Sequence, residues 1–127
     1  MGGPPRILVV EDDRLLRMDV SLVLRREGYD LEVASGAEEA FRLLRDRRFA
    51  LVLTDVLLPD GCGFDVLQAA KRYDPSTRVV LVTCSHAVDA GGMPDPQGAE
   101  SILLKPFALA DLLATVRRLV TPESRAS

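Results

Sequence analysis

Short continuous runs of apolar residues alternate with longer amphipathic stretches along most of this 127-residue chain. The apolar runs are predicted strands, and they occupy residues 7–10, 31–34, 50–54, 78–83 and 101–104. Strands that are apolar at almost every position are typical of a parallel sheet that is covered on both faces. Helices between successive strands provide the crossover connections of such a sheet. The pattern therefore predicts the α/β class, with a doubly wound five-stranded parallel sheet and helices on both faces.

The amphipathic stretches predict the helices. Leu16, Val20 and Leu24 share one face of a helix predicted over residues 14–27, which ends at Gly28. Further helices are predicted to begin after residue 36, to run over residues 64–72 and to cover residues 109–120. Only the connection between the last two strands lacks a helical pattern. Residues 85–99 hold three glycines and two prolines, so we expect a degraded fourth helix there, replaced by a loop with a short helical piece.

Composition limits the partners of this chain. Lys and Arg total 16 against 19 Asp and Glu, and the formal net charge of −3 argues against an electrostatic grip on nucleic acid or anionic lipid. Cys62 and Cys84 are too few for a disulfide framework, which favours the reducing cytoplasm. Residues 1–20 contain neither a signal peptide nor a membrane span. We therefore expect no direct nucleic-acid partner and no membrane partner.

The residues with chemical potential lie at or just beyond the ends of the predicted strands. Glu11, Asp12 and Asp13 come after the first strand, Asp55 after the third, Thr83 ends the fourth, and Lys105 and Pro106 follow the fifth. In an open α/β sheet, functional groups gather at the carboxyl ends of the strands. Crowded carboxylates repel each other unless a cation joins them, and ligands that are all oxygen favour Mg²⁺. A lysine and a hydroxyl at the same edge suit an anionic group, so these residues predict metal-assisted phosphoryl transfer onto a carboxylate.

Four sequence motifs, taken in order, resemble the receiver domains of bacterial two-component response regulators, the CheY-like group. The motifs are ILVVEDD at residues 7–13, LTDVLLPDGCGFDVL at 53–67, VVLVT at 79–83 and LLKPF at 103–107. The resemblance covers essentially the whole chain. It implies the strand order 2-1-3-4-5 of flavodoxin-like folds. It also implies one receiver domain over residues 6–121, between an N-terminal extension at 1–5 and a C-terminal tail at 122–127.

The resemblance implies which residues accept the phosphoryl group and hold the metal. Asp55 would take a phosphoryl group from a sensor histidine kinase or a histidine phosphotransfer protein. Glu11, Asp12 and Asp55 would bind Mg²⁺, with Mn²⁺ as an alternative, and the backbone carbonyl of Leu57 would be a further ligand. Such a chain is a switch rather than an enzyme, because it catalyses its own phosphorylation and dephosphorylation and turns over no external metabolite.

The resemblance also implies how the phosphoryl group is bound and sensed. Thr83 and Lys105 would bind its oxygens, and a cis peptide bond before Pro106 would turn the lysine into the site. The sequence departs from the family at Ile102, because receivers usually carry an aromatic residue three places before the lysine. The usual relay between the threonine and that ring cannot operate here in its usual form. We hypothesise that ordering of residues 85–99 carries the signal to a protein contact; the downstream target, and whether the chain forms a homodimer, stay open.

Several neighbouring residues have a structural interpretation. Asp13 is assigned as the cap of the first helix, because acids are favoured at helix N-termini. Cys84 stands where receivers usually carry a smaller residue, and a packed apolar role is favoured for it over a thiol switch. Cys62 is predicted to pack in its loop. His86, the single histidine, is predicted to lie in a loop near the cleft without a catalytic role.

Three other functional classes compete with a phosphorylated switch. A pseudo-receiver, which binds partners without phosphorylation, is favoured by Ile102 and the degraded helix, but the intact acids, threonine and lysine argue against it. An aspartyl-phosphate phosphatase needs a second acid just after the nucleophile, whereas Val56 and Leu57 follow Asp55. Flavin binding is disfavoured because the acids after the first strand would repel the flavin phosphate.

Overall fold

The computed structural model of the chain describes residues 3–84 and 97–120. Its strands are β1 (Arg6–Val10), β2 (Asp30–Ala34), β3 (Leu51–Asp55), β4 (Leu57–Leu58), β5 (Gly61–Cys62), β6 (Arg78–Cys84) and β7 (Ser101–Lys105). Its helices are α1 (Arg14–Arg26), α2 (Ala37–Asp46), α3 (Gly63–Tyr73) and α4 (Leu109–Val120). The five predicted main strands are all present, and their bounds differ from the predicted ones by a single residue at either end.

Five of the strands form one parallel sheet in the order β2-β1-β3-β6-β7. β4 and β5 form a separate antiparallel pair, so the parallel strands, counted alone, have the predicted order 2-1-3-4-5. The register pairs Asp55 with Val82 and Cys84 with Lys105. Because the five strands run in the same direction, their carboxyl ends meet at one edge of the sheet. The predicted fold class is confirmed.

Both faces of the sheet are covered, as the apolar strands predicted. Successive residues of a strand point to opposite faces. Val9 and Leu51 therefore belong to the core beneath α1 and α4, and Val10 and Val52 belong to the core beneath α2 and α3. The helices contribute fully buried side chains to these two cores, among them Val20, Leu24, Leu112 and Val116 on one face and Ala40, Val66, Leu67 and Ala70 on the other.

Helix α1 begins and ends where the sequence predicts. Asp13 is its N-cap, and Oδ1 of Asp13 accepts hydrogen bonds from the backbone N–H groups of Leu15 at 3.0 Å and Leu16 at 3.2 Å. At the other end, Gly28 has a φ of 94°, a left-handed conformation that favours glycine. The capping role predicted for Asp13 is confirmed, and α1 starts immediately beside the acidic end of β1.

The segment after Asp55, in which Cys62 was predicted to lie in a loop, contains the antiparallel strands β4 and β5. Gly61 lies in β5, and Gly63 is the first residue of α3. A two-residue strand is too short to leave a periodic pattern in the sequence, which explains why the pair was not predicted. Gly63 is required by a close approach of the backbone: its N–H donates to the carbonyl of Val56 at 2.7 Å, and a Cβ there would overlap the carbonyl oxygen of Asp55.

Several predictions fall on residues 1–2, 85–96 and 121–127, which lie outside the described residues. They include the position of His86, the C-terminal tail and most of the loop predicted over residues 85–99. The described end of that loop holds Gln97 and Gly98, which have φ values of 51° and 102° and form a turn before β7. In the part of the chain that the structure describes, no helix is both long enough and apolar enough to cross a bilayer.

Candidate functional site

The carboxyl ends of β1, β3, β6 and β7 bring the predicted site residues to one edge of the sheet. A cleft of about 260 Å³ opens there. Its lining consists of Asp12, Asp55, Leu57, Val82, Thr83, Cys84 and Lys105. The sheet register therefore assembles side chains that lie far apart in the sequence.

Asp55 and Lys105 form the centre of the cleft. Asp55 is only 4% exposed, and Nζ of Lys105 lies 3.0 Å from each of its carboxylate oxygens. Only Oδ2 accepts a hydrogen bond from the ammonium, and the buried Oδ1 accepts none from the described residues. The same ammonium lies 2.9 Å from Oε1 of Glu11. One cation therefore faces two buried carboxylates, and one buried oxygen of Asp55 has an ion-pair contact but accepts no hydrogen bond from the described residues.

Burial and neighbouring charges make Asp55 an unusually weak acid. Burial, followed by the neighbouring Glu11 carboxyl, raises the pKa of Asp55 from its usual 3.8 to about 7, against the opposing effect of Lys105. For Lys105, burial alone would lower the pKa, but its contacts with Glu11 and Asp55 outweigh burial and leave its pKa above the usual value. Lys105 therefore stays charged, and full ionisation of Asp55 at high pH would place a second negative charge beside Glu11 and one ammonium.

Glu11 is held in place by contacts around its whole length. Its N–H donates to the carbonyl of Ala34 at 3.0 Å, and its Oε2 accepts from the N–H of Asp13 at 2.9 Å. Arg17, on the first turns of α1, donates from Nη1 to the carbonyl oxygen of Glu11 at 2.8 Å. These bonds fix the acidic turn after β1 and leave Oε1 facing Lys105.

Three acids at this edge can hold a cation together. One carboxylate oxygen each from Glu11, Asp12 and Asp55 lies within 4.8 Å of the others, with Asp12 exposed and the other two buried. Oxygen ligands that leave room for water suit Mg²⁺, which keeps several waters when it binds protein carboxylates. The buried Oδ1 of Asp55, which accepts no hydrogen bond from the described residues, is an acceptor that a cation would satisfy. The donor set and this free oxygen both fit Mg²⁺.

The other predicted residues surround this centre. Thr83 is buried near the end of β6, and Leu57, in β4, is 72% exposed. The Lys105–Pro106 peptide bond is cis. Ile102 is half-buried and packs against the core beneath α2 and α3.

The two cysteines occupy different surroundings. Cys84 is half-buried and lines the cleft at Asp55 as well as a neighbouring cleft that contains Leu16 and Phe107. Cys62 is also half-buried and is the N-cap residue of α3, where its side chain makes no capping hydrogen bond. Both are free thiols.

Two residues near the site were not predicted from the sequence. Arg17 ties α1 to the acidic turn, and nothing in the spacing of charges distinguishes it from the other arginines of α1. Asp60 accepts hydrogen bonds from the first two N–H groups of α2. The signal for Asp60 was indirect: α2 is preceded by Gly36, which has no side chain with which to cap the helix.

Comparison with known proteins agrees with this fold. The family model of the response regulator receiver domain matches residues 7–117, and the chain belongs to that family. Receivers of this family are parts of two-component systems. The comparisons give no support to the phosphorylation-independent pseudo-receiver.

Three relatives illustrate the match. The transcriptional regulatory protein PmrA of Pectobacterium parmentieri is 36% identical over 115 residues, which cover 91% of this chain and 52% of PmrA. A CheY-like receiver domain protein from Methanospirillum hungatei superposes with a TM-score of 0.83 at 26% identity, covering 98% of this chain and all of that one. The response regulator TrrA of Thermotoga maritima, solved in complex with Mg²⁺ and BeF, has a TM-score of 0.78 at 26% identity, covering 91% of this chain and 99% of TrrA. The chain spans between 23% and 52% of the length of the curated relatives compared with it.

Proposed function

We propose that this receiver accepts a phosphoryl group on Asp55 from a sensor histidine kinase or a histidine phosphotransfer protein, in a Mg²⁺-dependent reaction. The phosphorylated form then binds a protein partner that the unmodified form binds less well. The setting proposed is the cytoplasm, where Cys62 and Cys84 stay reduced.

The observation that carries the proposal is the state of the Asp55 carboxylate. It is buried at the end of β3, its Oδ1 accepts no hydrogen bond from the described residues, and a lysine ammonium lies 3.0 Å away. A structural carboxylate in such a place would have both oxygens satisfied, because a free buried acceptor costs stability. We infer a functional reason for this exception: the carboxylate of Asp55 must bind a cation and form a new bond to phosphorus.

The metal site follows from the acids around that oxygen. Glu11, Asp12 and Asp55 would hold Mg²⁺, with the backbone carbonyl of Leu57 as a further ligand, and the same hard oxygens would accept Mn²⁺. When bound, the cation supplies positive charge that keeps Asp55 ionised and offsets the charge of the phosphoryl oxygens.

Asp55, Lys105 and Thr83 have different roles in the phosphoryl transfer. A carboxylate oxygen of Asp55 attacks phosphorus, a P–O bond forms, and the P–N bond of the phosphohistidine donor breaks with its electron pair left on the imidazole nitrogen. The ammonium of Lys105 meets the negative charge that spreads over the phosphoryl oxygens. The hydroxyl of Thr83, at the same edge, donates a hydrogen bond to one of them.

Acetyl phosphate, a small phosphoryl donor, tests the proposal without knowledge of the kinase. The intact mass is measured after incubation with and without Mg²⁺, beside an Asp55→Asn variant. We expect a single phosphoryl adduct that needs Mg²⁺ and is absent from the variant. A folded protein that binds Mg²⁺ and takes up no phosphoryl group from acetyl phosphate or from a panel of histidine kinases would overturn the proposal.

A further inference from the structure

The β4–β5 hairpin, residues 57–62, contains Leu57, which lines the cleft at Asp55 and whose backbone carbonyl is the further Mg²⁺ ligand in the proposed function. Its base is fixed by two backbone hydrogen bonds, from Val56 to the carbonyl of Val82 at 2.8 Å and from Gly63 to the carbonyl of Val56 at 2.7 Å. Within the hairpin, Leu58 packs against the core, whereas the side chain of Leu57 is 72% exposed. The side chain of Leu57 therefore contributes little to holding its own carbonyl in position.

The tip of the hairpin is attached to a different element. Oδ1 of Asp60 accepts from the N–H of Ala37 at 2.7 Å, and Oδ2 accepts from the N–H of Glu38 at 3.0 Å. These are the first two amides of α2, and α2 has no side-chain cap of its own. The two backbone hydrogen bonds lower the pKa of Asp60, so its carboxylate is charged at neutral pH. A single side chain thus joins the hairpin to α2 through two charge-assisted hydrogen bonds.

Two glycines leave space for this contact between Asp60 and α2. A Cβ on Gly36 would lie 2.6 Å from Oδ1 of Asp60, and one on Gly61 would lie 2.9 Å from the Cβ of Ala37. The backbone of Gly36 is extended, with φ −166° and ψ −178°, a conformation open to any residue. A side chain at position 36 would therefore occupy the space of the Asp60 carboxylate, while the backbone conformation there would accept any residue.

We propose that Asp60 is a positioning residue for the metal site: by tying the tip of the β4–β5 hairpin to α2, it holds the Leu57 carbonyl where Mg²⁺ binds. This inference rests on the proposed function. If only a fraction of hairpins is correctly placed, the apparent dissociation constant for Mg²⁺ rises by the inverse of that fraction. Loss of Asp60 then weakens Mg²⁺ binding. Saturating Mg²⁺ shifts the population to the correctly placed hairpin and restores the rate of phosphorylation.

A pure capping role for Asp60 makes a different prediction. A cap stabilises α2, and its removal lowers the free energy of unfolding without changing the affinity for Mg²⁺. Calorimetric titration of Mg²⁺ into folded protein, with the melting temperature measured separately, distinguishes the two roles. The matched control is Asp74→Ala: Asp74 is a half-buried turn acid that likewise accepts from a backbone N–H, that of Ser76, but it lies at the opposite edge of the sheet.

We expect Asp60→Ala to raise the dissociation constant for Mg²⁺ by about tenfold, the lower end of the effect of groups that orient metal ligands. Asp60→Asn keeps one acceptor oxygen and should lie between this variant and the wild type. Asp74→Ala should leave the constant unchanged. The rate of phosphorylation by acetyl phosphate at saturating Mg²⁺ should stay within about twofold of the wild type in all three variants.

Gly36→Ala disturbs the same contact between Asp60 and α2, but the substituted residue precedes α2. Its new Cβ would displace the Asp60 carboxylate, so it should weaken Mg²⁺ binding by itself and add nothing in an Asp60→Ala background. Equal Mg²⁺ affinity of the wild type and Asp60→Ala would overturn the inference, as would additive effects of the two substitutions. A wild type that binds no Mg²⁺ would instead overturn the proposed function, and the inference with it.

Discussion

Nζ of Lys105 lies 3.0 Å from both carboxylate oxygens of Asp55, and it donates a hydrogen bond to Oδ2 alone. The same ammonium also faces Glu11 at 2.9 Å. The lysine thus pairs with two acids, and it lies beside the carboxylate that would become part of an acyl phosphate in the proposed function. In the proposed transfer, the same ammonium would meet the negative charge that develops on the phosphoryl oxygens.

Removal of the lysine charge should separate metal binding from phosphoryl transfer. In Lys105→Met we expect the rate of phosphorylation by acetyl phosphate to fall by about 10²-fold or more, as for other groups that stabilise developing charge. The affinity for Mg²⁺ should rise, because a competing cation has left the acids. Lys71→Met is the matched control, since Lys71 also pairs with an acid, Glu100 at 2.7 Å, outside the site. A Lys105→Met protein that is phosphorylated at the wild-type rate would contradict the assignment.

The raised pKa of Asp55 predicts that neutralising this residue stabilises the fold in the absence of metal. The pKa rises from 3.8 to about 7 on folding, so the ionised carboxylate costs stability that is fully expressed above pH 7 and disappears below about pH 4. At pH 8 without Mg²⁺, Asp55→Asn should raise the free energy of unfolding by an amount on the order of 1 to 3 kcal/mol. The gain should shrink as the pH falls from 7 to 4, as measured by urea unfolding.

Asp74 supplies a control of opposite sign for that experiment. Its pKa is lowered by hydrogen bonds from the hydroxyl and the N–H of Ser76, so its stabilising effect is present above its usual pKa and is lost as the pH falls further. Asp74→Asn should therefore lower stability slightly at pH 8. If Asp55→Asn were also destabilising at pH 8 in metal-free buffer, the unbalanced negative charge inferred at the site would be wrong.

Mg²⁺ itself should stabilise the folded chain through the acidic cluster. A ligand that binds only the native state adds about 1.4 kcal/mol at ten times its dissociation constant. Thermal unfolding with and without Mg²⁺ should show this gain for the wild type and a much smaller one for Asp12→Asn, because Asp12 belongs to the cluster. Asp19→Asn removes another exposed acid, on α1, and should keep the full gain. Equal stabilisation of both variants would place the cation elsewhere.

Gly63 should tolerate no side chain. A Cβ there would overlap the carbonyl oxygen of Asp55, and hydrogen bonds fix the backbone of both residues. We expect Gly63→Ala to lower the free energy of unfolding by about 3 kcal/mol, as for severe overpacking. Gly3→Ala, where no atom lies within 4 Å, should change it by less than about 0.5 kcal/mol. Chemical denaturation of the two variants compares them directly, and a small effect of Gly63→Ala would show that the turn after Asp55 can relax.

The sequence was informative wherever burial or a local signal decided the structure. β1 and β3 were predictable because successive residues face one core or the other, as Val9, Val10, Leu51 and Val52 do. Each strand is therefore a continuous apolar run in the sequence. The start of α1 was predictable because Asp13 caps it through residues two and three places away. Structure of this kind is determined by residues that are close in the sequence.

Contacts between distant residues could not be predicted from pattern alone. The pairing of Lys105 with Glu11 depends on the order of strands and their register, and the link from Asp60 to Ala37 spans 23 positions. The short strands β4 and β5 carry no periodicity. The resemblance to receivers supplied the site residues as a set, but the free Oδ1 of Asp55 and the role of the hairpin emerge only from the three-dimensional contacts.

The position of the phosphoryl group on the chain decides whether Asp55 is the phosphoacceptor. After reaction with acetyl phosphate and Mg²⁺, reduction with borohydride converts an aspartyl phosphate to homoserine, which peptide mass spectrometry can assign to one position. We predict homoserine at position 55, dependent on Mg²⁺ and on the acyl phosphate. Homoserine at another acid, or a phosphoryl adduct that persists unchanged in Asp55→Asn, would contradict the central claim that Asp55 is the phosphoacceptor.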